Sequence, residues 1–182
     1  MNNTYWDSWI RPANYNDDLF IYGLRNTPYI AQASTGGTTI TWTDHREWTA
    51  EILMDDIKCF PFIIMRQKKC SNCGTPMGEE EKAGHIRFDN SDKDYASVSI
   101  FLHRKAQQQG MGSKALKHAL LRYYGGCKFW KKRVLAFVKA DNVGSARFFE
   151  KNGFKPVAWD DQVDLITLEY QVRNNANSST SD

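Results

Sequence analysis

Apolar residues recur along this chain with two periods, and the switches between them mark out most of its elements. Val98, Ile100 and Leu102 alternate with Ser97, Ser99 and Phe101, which predicts a half-buried strand. Leu116, Ala119, Leu120 and Tyr123 then fall at i, i+3, i+4 and i+7, one face of a helix that Gly125-Gly126 stops. The continuous apolar run Val134-Leu135-Ala136-Phe137-Val138 predicts a buried strand. Upstream, Trp9-Ile10-Arg11-Pro12 predicts a first strand ending at a proline. Asn16 or Asp17 caps a helix carrying Leu19, Phe20 and Leu24, which ends near Asn26-Thr27-Pro28. Thr43 or Asp44 starts a second helix through Trp48, Ile52 and Leu53. Strands at about 57–66 and 83–89 bracket an insert at 70–82, and strands near 154–159 and 163–171 close the chain. The predicted order is β-α-α-β-β-β-α-β-α-β-β, an α/β chain.

Composition narrows the class. A chain of 182 residues, 41% hydrophobic and 13% aromatic, is long enough to bury a full core as one domain, expected over 1–173. A formal net charge of +3 gives no reason to invoke nucleic acid. The N-terminus lacks a basic stretch followed by an apolar one, and no apolar run approaches a membrane span, so the chain is expected to be cytoplasmic. Four cysteines do not suggest a disulfide framework. Residues 174–182 have no large apolar anchor and are expected to form a disordered tail.

The chemistry begins between the strand at 96–102 and the helix that follows. Gln107-Gln108-Gln109-Gly110-Met111-Gly112-Ser113 places two glycines two apart at a helix start. Backbone N–H groups left unscreened there, with the positive end of the helix dipole behind them, suit a phosphate or pyrophosphate. The dinucleotide fingerprint would need a third glycine where Ala115 stands, and no Gly-Lys-Ser/Thr run marks a phosphate loop of the nucleotide-hydrolase kind.

What remains is Gln-x-x-Gly-x-Gly after a strand, and this resembles the pyrophosphate loop of the GNAT acetyltransferases. A second block carries the same resemblance: the strand at 134–138, then Asn142-Val143-Gly144-Ser145-Ala146-Arg147-Phe148-Phe149-Glu150-Lys151-Asn152-Gly153-Phe154. The resemblance covers roughly residues 83–171. It implies the GNAT fold, a central mixed sheet with splayed parallel strands and helices on both faces. It further implies acetyl-CoA as co-substrate and transfer to an amine without a covalent enzyme intermediate.

Site residues follow from the resemblance as expectations. Gln107, Gln108, Gln109, Gly110, Met111, Gly112 and Ser113 would hold the pyrophosphate. Phe101, Leu102 and His103 would pair their backbone with the pantetheine amides, joined by Asn142, Ser145 and Phe149. A backbone N–H near Ile100 or Phe101 would face the thioester oxygen. Many members carry a tyrosine where this chain has Phe149, which cannot donate a proton; Ser145, Tyr123, Tyr124 or water are the alternatives. Base candidates are Glu47, Glu51, Asp55, Asp89 and, best matched to neutral pH, His85. The other view of His85 is a strand-end histidine touching only backbone and water.

The acceptor is read from the N-terminal third. Leu24-Arg25-Asn26 and His45-Arg46-Glu47-Trp48 resemble the subgroup holding the pseudaminic-acid pathway and ribosomal-protein alanine acetyltransferases. Arg25, Asn26, His45 and Trp48 are therefore the candidate acceptor contacts, a guanidinium fork for phosphate and an indole for stacking. Trp48 as core and Arg25 as a helix-end cap are the plainer alternatives. A small-molecule amine on a nucleotide-linked sugar is the expected partner, with a protein N-terminus as the alternative and a monomer or homodimer as the assembly. Cys70-Ser71-Asn72-Cys73-Gly74 has the form of half a zinc knuckle. Neither Cys59, Cys127 nor His85 completes a defensible ligand pattern, so zinc is not favoured over an exposed turn. If Cys70 and Cys73 did bind metal, the chain would be a non-catalytic zinc-bearing or acyl-CoA-binding module.

Overall fold

The computed structural model describes residues 4–54, 59–126 and 133–171. Asp55, Cys127 and the expected tail lie outside them. Seven strands form one mixed sheet in the order β1-β2-β3-β4-β5-β7-β6. β1 (Thr4–Pro12), β2 (Cys59–Cys70), β3 (Glu81–Asp89) and β4 (Tyr95–Leu102) run antiparallel in succession. β5 (Arg133–Lys139) joins β4 in parallel, and β7 (Leu165–Tyr170) and β6 (Phe154–Asp160) complete the sheet antiparallel. The helices are α1 (Asp18–Arg25), α2 (Pro28–Ala33), α3 (Trp42–Met54), α4 (Met111–Gly126) and α5 (Val143–Lys151).

Period-two alternation gives the sheet two apolar faces. Ile64, Ile86, Phe88 and Val98 share one core with Met111, Leu116, Ala119 and Tyr123 of α4 and Phe149 of α5. Ile63 and Met65 form a smaller core with Ile21 of α1, with Trp9, Phe20 and Trp48 packed against it. Two differences from the expected elements have local causes. Residues 28–33, between the two expected helices, form a further helix, because Pro28 stands at its first position, where its fixed φ and missing N–H are no cost. β2 runs past its expected end near 66 to Cys70, because the 70–82 hairpin continues its pairing: Cys70 donates to the Thr75 carbonyl at 2.9 Å and Met77 to that of Lys68 at 2.7 Å.

Buried carboxylates lock the helical layer to the sheet. Asp17 is fully buried; burial would raise its pKa, but the Arg11 fork at 2.7 Å on both oxygens and Lys82 at 2.7 Å hold it well below the usual range. Asp18 docks α3 on α1, accepting from Thr49 at 2.9 Å and Arg46 at 3.0 Å, with His45 Nε2 at 2.6 Å.

His85, the favoured base, belongs to the core. Its residue is 1% exposed, and both ring nitrogens are buried with no hydrogen-bond partner among the described residues. Burial first, then the positive charge of Arg87, push its imidazole down to about 3. Such a ring stays neutral at physiological pH and has little pull on an ammonium proton.

A stability consequence follows. The unfolded chain protonates this imidazole near its ordinary value of about 6.5, the folded one not until about 3. Stability therefore falls as pH drops across that interval, by about 1.4 kcal/mol per unit at full slope. Asp7, held at about 2 by hydrogen bonds from Lys69 and Lys114, adds its own loss only below the ordinary carboxylate range. Urea unfolding of His85→Leu should show a flattened pH dependence between about 6.5 and 4; an unchanged slope would place that proton elsewhere.

Candidate active site

The site begins where the ladder stops. β4 and β5 are paired only at Tyr95–Arg133, Ala96–Val134 and Ser97–Leu135 among the described residues. Beyond Ser97 the two parallel strands diverge, leaving one edge of residues 98–102 unpaired by a neighbouring strand. A cleft of about 710 Å³ opens there, lined by β4 from Val98 to Leu102, by Phe137 and Val138 of β5, and by the starts of α4 and α5.

Short polar contacts hold the opening from outside. The Tyr29 hydroxyl of α2 donates to the Leu102 carbonyl at 3.0 Å, and Lys139 Nζ at the end of β5 donates to the Gln32 carbonyl at 3.0 Å. Thus α2 spans the ends of both diverging strands. Asn26 accepts from Ile40 N at 2.8 Å and donates to its carbonyl at 2.9 Å, pinning the polar loop whose Ser34 and Thr35 reach the cleft.

The glycine loop closes the same cleft at its α4 end. A 3-10 turn, Arg104–Ala106, follows β4, and Gln107 donates back to the Leu102 carbonyl at 3.1 Å. Gln108 (φ 59°) and Gly110 (φ 76°) take left-handed backbone. Lys114 N makes the first helical bond to the Gly110 carbonyl at 3.1 Å. The N–H groups of Met111, Gly112 and Ser113 lack intrahelical acceptors, as in any first turn. At Gly112 a Cβ would stand 3.0 Å from a Leu102 methyl and 3.1 Å from the Phe148 ring, so any side chain there requires those two neighbours to give way by a few tenths of an ångström.

The structure brings most of the expected donor contacts into one place. Ile100, Phe101, Leu102, Gln107, Gln108, Gly110, Gly112, Ser113, Asn142, Ser145 and Phe149 line the cleft. His103, Gln109 and Met111 do not: His103 N donates to the Ala83 carbonyl, Gln109 to that of Lys105, and Met111 is core. Asn142 caps α5 by accepting from Ser145 N at 3.1 Å, and it also lines the cleft. Phe149 is 5% exposed and packs edge-on against Phe148 and Phe154.

Of the expected acceptor residues Arg25 lines the cleft, whereas Asn26, His45 and Trp48 do not. Asn26 is a loop clasp, His45 part of the Asp18 cluster, and Trp48 half-buried on the smaller core with the Arg87 guanidinium 4.6 Å from its ring centroid. Glu47, Glu51 and Asp89 also stand off the cleft. Sequence reasoning missed Tyr29, whose signal was Pro28 at a helix start, and Arg87, the period-two partner of His85 on β3. Cys73 is exposed in the hairpin turn with its sulfur 3.0 Å from Thr75 Oγ1, and no group of three His, Cys, Asp or Glu side chains suited to a metal occurs among the described residues.

The family profile described as "Acetyltransferase (GNAT) domain" matches residues 8–155. The chain belongs to the GNAT acetyltransferases. Solved structures share this fold at low identity. The spermidine N-acetyltransferase of Vibrio cholerae, in complex with CoA and spermine, superimposes with a TM-score of 0.68 at 13% identity, over 89% of this chain and 92% of that one. YncA of Salmonella typhimurium with acetyl-CoA gives 0.67 at 18%, over 96% and 99%. The aminoglycoside acetyltransferase AAC(6')-Ib in complex with coenzyme A gives 0.67 at 16%, over 92% and 95%. Comparison with curated protein sequences gave no match. No helix of the described residues is long and apolar enough to cross a membrane.

The glycine geometry sets a stability prediction. Gly110→Ala meets open space but forces alanine into left-handed backbone, which costs about 1–2 kcal/mol. Gly112→Val overpacks against Leu102 and Phe148 and should cost about 1–3 kcal/mol. Urea midpoints compared with the parent measure both; an unshifted Gly112→Val would mean that the helix start is free to move away.

Proposed function

We propose that the protein moves an acetyl group from acetyl-CoA directly to the amine of a small acceptor. One observation carries this reading: a glycine-opened helix start and the gap between two diverging parallel strands face the same cleft. The residues present fit the donor. The first-turn N–H groups at 111–113 and the Ser113 hydroxyl suit a pyrophosphate, and a Cβ at Gly112 would crowd the Leu102 and Phe148 side chains that line the same cleft. No carboxylate occurs among the described lining residues to repel phosphate, and Lys151 adds a positive charge. Acetyl-CoA supplies the acetyl group as an activated thioester when bound.

The chain's own residues then have three tasks. The unpaired edge of β4 over Ile100 and Phe101 offers backbone groups to an extended amide-bearing arm, as a strand end does to a peptide, and an N–H there suits the oxyanion. Phe137, Phe148 and Phe149 keep the gap apolar, which excludes water from the thioester. Proton handling falls to no imidazole or carboxylate: besides the cations Arg25, Arg87 and Lys151, the described lining offers the hydroxyls of Tyr29, Ser99, Ser113, Ser145, Ser34 and Thr35. The amine arrives neutral or loses its proton to water, and the thiolate, from a thiol with a pKa of about 8.5, leaves with little assistance.

The nucleotide-linked amino sugar expected from sequence keeps the support of Arg25 but loses that of Trp48, which does not line the cleft. Spermine and aminoglycosides are named for the structures of similar fold, and belong beside sugar nucleotides and N-terminal peptides in one acceptor panel.

Two measurements test the reading. Calorimetry should show acetyl-CoA binding that falls about tenfold or more in Gly112→Val while circular dichroism keeps the native signature; an unaffected affinity would detach the glycine loop from the donor. Turnover should rise close to tenfold per pH unit from about pH 6 to 8, set by the acceptor ammonium. A plateau with a midpoint near about 6.5 would instead reveal an enzyme base of histidine type.

A further inference from the structure

We propose that Arg25 and Arg87 together form an anion-binding subsite on the acceptor side of the cleft, so that the acceptor amine carries a carboxylate or phosphate group. The proposal rests on the transferase reading above and narrows its substrate class. Both arginines line the cleft. Arg87 of β3 stands opposite Ser99 of β4, and the Arg25 guanidinium lies 6.0 Å from the Phe101 ring centroid, so both attend the same stretch of diverging strand.

Among the described residues they are the two partly buried arginines without an ion pair; Arg104, Arg122 and Arg147 also lack one but are exposed to solvent. Arg11, Arg46, Arg66 and Arg133 each hold a carboxylate oxygen at 3.0 Å or less. Arg25 has one long bond to the Thr38 carbonyl, 3.3 Å. Arg87 makes no hydrogen bond among the described residues; its Nε is buried and unsatisfied, and the Trp48 ring positions its guanidinium at 4.6 Å. Burial, then the like charge of Arg87, hold the Arg25 guanidinium below its ordinary pKa. Two partly desolvated cations sharing a wall without a counter-charge among the described residues are costly, and a bound anion relieves both penalties at once. Planar forks suit a two-oxygen group.

The donor's pyrophosphate is not that anion. Its expected seat is the start of α4, which packs on the opposite sheet face with Ile86 and Phe88, whereas Arg87 alternates with those residues onto the face of α1 and α3. A polycation would meet repulsion here, so spermine is disfavoured as acceptor.

Matched acceptors test the subsite in a thiol-release assay: glucosamine 6-phosphate against glucosamine, β-alanine against its amide, and spermine. The anionic member of a pair should show kcat/KM higher by about tenfold or more. The double variant Arg25→Gln/Arg87→Gln should abolish that difference, through KM, while acetyl-CoA affinity is kept. A preference for the neutral members or for spermine, or a preference that survives the double variant, overturns the proposal. Should no acceptor react, the arginine Nε–Hε resonances of the parent protein are followed while inorganic phosphate or acetate is titrated, with and without CoA. Saturable shifts at Arg25 and Arg87, absent in the double variant, support the subsite and separate phosphate from carboxylate; no shift overturns it. Failure to bind acetyl-CoA in calorimetry sinks the transferase reading separately, because the anion titration without CoA reads the subsite by itself.

Discussion

Everything at the site depends on the ladder between β4 and β5 ending after three pairs. A parallel pair that stayed in register would satisfy its backbone internally and leave no room for a ligand. Because the strands part beyond Ser97, one edge of β4 is freed over the residues that line the cleft. The parting is braced: Tyr29 and Gln32 of α2 are tied to the ends of β4 and β5, and Phe137, Phe148 and Phe149 fill the sides. Close approach on the other edge is equally specific. A side chain at Gly84 would clash with the Phe101 carbonyl, so glycine there lets β3 follow β4 to its end.

Charge placement divides the molecule along the same line. Asp17 and Asp18 are buried but matched by Arg11, Lys82 and Arg46, with His45 and Thr49 beside Asp18, an arrangement that is strongly destabilising to break at either partner. In the cleft the balance reverses, with Arg25, Arg87 and Lys151 on the wall and no acid opposite among the described residues. The structural ion pairs thus close on themselves, while the cleft keeps unspent positive charge where ligands arrive. His85 sits between the two regions as a neutral core group, with Ile63 and Phe101 as its cross-strand neighbours.

Legibility varied with how local the cause was. The glycine loop and the Asn142 cap were readable because turn chemistry and capping are set within a few residues. Phe149 was readable as a departure from a family pattern. Arg87 was not, since a charged residue in strand alternation is ordinarily solvated, and nothing local tells that its face is covered by α3 and opened by a diverging neighbour. His45 and Trp48 were read as acceptor contacts from a short resemblance, and packing with Asp18, Ile21 and Arg87 claims both instead.

By itself the sequence determined the element order apart from α2, the two-faced sheet and the glycine loop at a helix start, because periodicity, proline and glycine act through the backbone over short range. Only the tertiary structure decided which polar side chains meet the cleft. That choice is made by long-range register: the β3–β4 pairing puts Arg87 beside Ser99, and the docking of α1 puts Arg25 over Phe101. Burial made the last decision, turning His85 from the best-matched base into a neutral core side chain, since desolvation outweighs the intrinsic pKa on which sequence reasoning relies.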